Sequence, residues 1–141
     1  MLSEQYRQRL ANEYRYAVTR IQQEGQPVRK LFYFSVFFGE AQRVLNFEWN
    51  RDLALIYTVT LHAHTQINAA MQSPGLMQLP IDWTAIYDNL TLAASDLAAY
   101  LEKAKNGRGE QLCQILGRLA EIAYIVSGNG IYLHGRGSFK F

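Results

Sequence analysis

Apolar residues recur every three or four positions in five separate segments of the chain, and this spacing constrains the fold more than any other feature. It places the apolar side chains of each segment on one face of an α-helix. The most regular face lies in residues 109–127 and consists of Leu112, Ile115, Leu116, Leu119, Ile122, Ala123 and Val126. Five amphipathic helices joined by short connections predict an all-α fold, an antiparallel bundle of about five helices.

Capping residues mark where these helices begin and end. Ser3, Asn50 and Asp82 precede the first, third and fourth helices. Their side chains can accept hydrogen bonds from the free amides of a first helical turn. Gly25 is expected to end the first helix, and Pro27 suits the first turn of the second because that position needs no amide hydrogen.

The remaining segments are rich in glycine and proline. Residues 73–80 hold two prolines and a glycine and predict a loop, and the pair Asn106–Gly107 is expected to close the fourth helix. The end of the chain, GNGIYLHGRGSFKF, predicts a short glycine-rich hairpin or an extended tail. Since 141 residues is about the size of one domain, we expect residues 1–141 to form a single helical domain.

Composition excludes several classes of protein. Hydrophobic residues make up 49% of the chain, enough for a core, and the longest dense apolar stretch has only eight residues, too few for a membrane span. The first ten residues are polar from the third onward, unlike a secretory signal. We therefore expect a cytoplasmic protein with no membrane partner. The lone Cys113 excludes an internal disulfide.

Charge is balanced overall but unevenly distributed. A net charge of +2, from 14 basic and 12 acidic residues, does not support a nucleic-acid partner. Residues 1–51 hold eight basic and five acidic residues, whereas residues 52–102 hold five acids and no Lys or Arg. This asymmetry has two interpretations, a chance difference between solvated faces or a surface that steers a charged partner.

Sequence signatures of catalysis and of metal binding are missing. The chain has no HExxH, no GxSxG and no Glu followed three residues later by His. His62 and His64 would point about 200° apart on a helix, so they cannot share one ion. The glycine-rich GIYLHGRG lacks the Lys and the Ser or Thr of a phosphate loop. We expect no metal, no cofactor and no catalytic residues.

Residues 31–38, LFYFSVFF, fall within the second helix, which is expected to run from Pro27 to about residue 47. Their five aromatic side chains sweep the whole helical circumference, and such a helix must be covered on more than one side. Core, ligand pocket and oligomer interface are the three hypotheses. We favour the interface, since aromatic residues are enriched in interfaces, and assign it to Phe34, Phe37 and Phe38. The expected function is a non-catalytic binding or assembly module that forms a homo-oligomer, most simply a homodimer.

The alternative hypothesis is a protein that binds or processes an anionic ligand such as a nucleotide, a phosphate ester or RNA. The ligand would occupy a cleft between the second helix, the third helix and the tail, with arginines as bidentate partners of its phosphates. Six side chains would have to converge there: Arg43, Arg51, Tyr57, His64, His134 and Arg136.

Overall fold

The structure, a computed structural model, describes residues 2–72, 81–103 and 109–128. They form five helices: α1 (Glu4–Gln23), α2 (Pro27–Leu45), α3 (Arg51–Gln72), α4 (Trp83–Glu102) and α5 (Gly109–Val126). The expected all-α bundle is confirmed. The loop expected at 73–80, the helix closure at Asn106–Gly107 and the glycine-rich tail lie outside the described residues.

Two of the three expected N-caps act through their side chains. The Oδ1 atoms of Asn50 and Asp82 each accept a hydrogen bond from the amide three residues further on, at 2.9 and 3.1 Å. Ser3 occupies the N-cap position of α1, but its hydroxyl makes no capping bond. Its amide instead donates to Oε1 of Glu48 at 2.6 Å, which ties the start of α1 to the segment after α2.

The helices pack as a closed ring in the order α1, α2, α3, α5, α4 and back to α1. Arg7, buried near the start of α1, donates to the carbonyl oxygens of Leu101 and Glu102 at 2.6 and 2.9 Å. Carbonyls in a last helical turn have no partner within the helix, so Arg7 supplies one for α4. The Tyr100 hydroxyl donates to Asp52 at 3.2 Å and joins the end of α4 to the start of α3.

Residues 56–60 of α3 keep the helical conformation although four of them are β-branched. The hydroxyls of Thr58 and Thr60 donate to the carbonyls four residues earlier, at 2.9 and 2.6 Å. Because these bonds satisfy the hydroxyls locally, Thr60 can be fully buried without a partner on another helix.

The largest side chains of the core come from α1 and α2. Tyr14, Phe34 and Phe37 are fully buried, and the rings of Tyr14 and Phe37 lie 4.3 Å apart between centroids. The Tyr14 hydroxyl donates to the Phe37 carbonyl at 2.6 Å, and burial raises the pKa of Tyr14, so it remains a donor. The prediction that Phe34 and Phe37 form an interface between copies is wrong, because their own bundle encloses both.

None of the helices in the described ranges combines the length and apolar character needed to cross a bilayer.

Candidate interaction surface

Two of the side chains expected to bind an anion lie far apart along one helix. Arg51 and His64 both lie on α3, but 13 residues of helix separate them by about 20 Å along the axis. Arg43 pairs with Glu40 at 3.0 Å, and Tyr57 packs partly buried against the core. The convergence of the six side chains stays a prediction, and a ligand that contacts both Arg51 and His64 would have to span this distance. The other two members of the set, His134 and Arg136, lie outside the described residues.

His64 instead packs between α2 and α3. Its ring meets Phe38 edge to face at 5.1 Å between centroids, and both residues are half-buried. Burial lowers the pKa of His64 below its ordinary value of 6.5, although a backbone hydrogen bond at Leu31 opposes the shift. Part of the ring of Phe38, the third expected interface residue, is therefore covered by a contact within its own chain.

This lowered pKa predicts a pH-dependent stability. Because folded His64 favours its neutral form, the unfolded chain binds the proton more tightly. The contribution of His64 to stability is therefore complete above about pH 6.5, and it is lost as the pH falls through the lower pKa of the folded state. Urea titrations at a series of pH values around and below 6.5 should show that the free energy of unfolding decreases as the pH falls.

We expect this pH dependence to disappear in His64→Asn and to persist in His62→Asn, since His62 is exposed on the same helix. If the free energy of unfolding of His64→Asn depends on pH as strongly as that of the wild type, the assignment to His64 is wrong.

The outward side of α2 carries exposed apolar side chains. Phe32 is 69% exposed and Val28, one turn earlier, is 67% exposed. At about 100° per residue, Phe32 points 200° away from Phe34, which faces the core. The surplus of aromatic residues in α2 is thus divided between the core and the surface.

Tyr33 on α2 connects this surface to Tyr16 and Arg20 on α1. Nη2 of Arg20 donates to the Tyr33 hydroxyl at 2.6 Å, and the guanidinium carbon lies 5.0 Å from the centre of the Tyr33 ring. Phe32 meets Tyr33 edge to face at 5.5 Å, and exposed Tyr16 lies on the turn of α1 before Arg20. The resulting α1–α2 patch consists of Tyr16, Arg20, Val28, Phe32 and Tyr33.

Basic residues flank the α1–α2 patch. Residues 20–30 hold three basic side chains and one acid, Glu24. Arg29 lies 4.0 Å from Glu24, the outer limit of an ion pair, and is otherwise exposed. Nζ of Lys30 donates to the Ile21 carbonyl at 2.8 Å, which leaves its positive charge without a counterion in the described residues. The patch is therefore apolar at its centre and positively charged at its edge.

A second exposed pair, Phe47 and Trp49, lies in the connection between α2 and α3. Phe47 is 79% exposed, more than Phe32, but the flanking charges differ. Residues 46–52 hold two acids and one base. This pair is thus a chemically distinct apolar surface, and it offers a matched control for Phe32.

Phe34 and Phe37, two of the three expected interface residues, belong to the buried side of the aromatic stretch. The phase of the buried stripe, Leu31, Phe34, Phe37, Ala41 and Val44, is the signal that separates inward from outward side chains. Phe32 and Val28 fall outside that stripe. The contribution of α1 to the patch, through Tyr16 and Arg20, had no signal in the linear pattern.

Comparison with protein families, with curated proteins and with solved structures finds no match for the chain. In the described part of the chain, no group of three or more His, Cys, Asp or Glu side chains is arranged to hold a metal ion.

Proposed function

We propose that the protein is a non-catalytic assembly module and that copies of the chain associate through the α1–α2 patch. The observation that carries this proposal is the exposure of Phe32 and Val28 on one face of α2. Large apolar groups grouped on a surface favour association, because contact removes them from water. Aromatic residues and arginine are the types enriched in protein interfaces, and the patch contains both.

Phe32 and Val28 alone do not supply the free energy of association. Burying Phe32 and Val28 contributes roughly 1.5–3 kcal/mol each, whereas association costs an estimated 4–15 kcal/mol in lost freedom. Tyr16, Tyr33 and groups on the partner must therefore contribute as well. We expect a micromolar dissociation constant, equivalent to about 8 kcal/mol.

The proposed compartment is the cytosol. The lone Cys113 is exposed and has no partner for an internal disulfide, which suits a reducing environment.

A pair of glutamate substitutions tests the role of the patch. Phe32→Glu places a carboxylate at the centre of the proposed contact and should weaken self-association at least tenfold, as measured by sedimentation equilibrium. Phe47→Glu makes the same change at an exposed phenylalanine elsewhere and should leave association as in the wild type. Equal association of Phe32→Glu and wild type would contradict the proposal, as would an equal loss in both variants. Circular dichroism checks that each variant remains helical.

A further inference from the structure

The outward face of α4 has the opposite character to the α1–α2 patch. Asp88, Leu92 and Asp96 lie four residues apart, so they form one row along the helix, which we call the acidic strip. Leu92 is 53% exposed and both aspartates are exposed. Asp96 comes no closer than 4.0 Å to Arg118, a contact at the outer limit of an ion pair. No Lys or Arg occurs between residues 52 and 102.

We propose that the acidic strip of one copy docks on the α1–α2 patch of another, giving a head-to-tail assembly. This inference rests on the proposed function and names the partner surface. Leu92 would pack against Val28 and Phe32, with its flanking aspartates about 6 Å away along α4 on either side. Their carboxylates would then face the positive edge of the patch, where Arg20 and Arg29 are exposed.

Charge favours this arrangement over a symmetric contact. Two patches placed face to face would bring Arg20, Arg29 and Lys30 of both copies into one interface, and like charges destabilise an interface. Two acidic strips would repel each other in the same way. Val28, Phe32 and Leu92 are all exposed within one chain, so a chain does not cover its own patch with its own strip.

A head-to-tail contact leaves one patch and one strip free after each addition. Such contacts close into rings or continue into filaments, whereas a symmetric contact stops at a dimer. Wild-type protein should therefore grow beyond the dimer as its concentration rises, unless a small ring closes.

A mixing experiment tests the proposal. One variant, Phe32→Ser with Arg29→Gln, blocks the patch and keeps the strip, and the other, Asp88→Lys with Asp96→Lys, blocks the strip and keeps the patch. Each variant alone should associate at least tenfold more weakly than wild type in sedimentation velocity. Their equimolar mixture should recover the wild-type affinity and stop at a dimer, because only one productive contact remains.

The outcomes separate this proposal from the one it rests on. If wild type associates but the mixture stays monomeric, or the α4 variant associates like wild type, the head-to-tail contact is wrong and the assembly role stands. If wild type stays monomeric, both are wrong. Glu110→Lys with Glu121→Lys reverses two charges on α5 and should associate like wild type. An equal loss in this control would assign the effect to net charge and overturn the proposal.

Discussion

Phe34→Ala is expected to lower the free energy of unfolding by about 3–5 kcal/mol, the usual cost of removing a buried phenylalanine ring. Phe34 is fully buried and its ring lies 5.3 Å from that of Phe37, so truncation leaves a cavity in the core beside Phe37. Urea unfolding followed by circular dichroism measures the loss. Low protein concentration keeps self-association from adding to the measured stability.

Phe32→Ala is the matched control, since it makes the same substitution on the same helix at an exposed position. It should change the free energy of unfolding by no more than about 0.5 kcal/mol, as is usual for surface sites. Equal losses for the two variants would contradict the division of the α2 aromatics between core and surface.

Arg7→Met should cost about 2–3 kcal/mol. Methionine keeps much of the aliphatic length of the side chain but removes the guanidinium, which leaves the carbonyls of Leu101 and Glu102 without that donor. Hydrogen bonds to a charged group contribute roughly 1.5–3 kcal/mol, and a buried acceptor left unpaired loses its hydration as well. Urea unfolding near neutral pH measures the change.

Arg15→Met provides the comparison for Arg7. Arg15, also on α1, pairs with the Glu102 side chain at 2.8 Å, but both partners are exposed. Exposed ion pairs contribute at most about 1 kcal/mol, so this variant should remain close to wild type. Should Arg7→Met lose no more stability than Arg15→Met, the guanidinium does not hold the end of α4.

The helices themselves could be predicted because their signals are local. Asn50 and Asp82 cap α3 and α4 through side chains only three residues from the amides they bind. Apolar spacing placed α2 and α5 to within about two residues of their ends. The order of the helices around the ring depends on contacts between distant segments, such as Arg7 with Leu101, and no local pattern encodes those.

The burial of Phe34 and the distance between Arg51 and His64 differ in how far the sequence could predict them. Residues 31–38 alone do not show which way Phe34 faces, because they are bulky around the whole helix, whereas the spacing from Phe34 to Ala41 and Val44 gives the phase of the buried stripe. The separation of Arg51 from His64 was readable in advance, because 13 helical residues span about 20 Å. The linear pattern showed suitable chemistry but did not show that the side chains could meet.

Sedimentation velocity of the wild-type protein from low to high micromolar concentration tests the central claim most directly. Self-association through the α1–α2 patch predicts that the weight-average mass rises with concentration above that of one chain. A mass equal to one chain throughout this range would contradict it, and would show that Phe32 and Val28 stay exposed to water in the free protein.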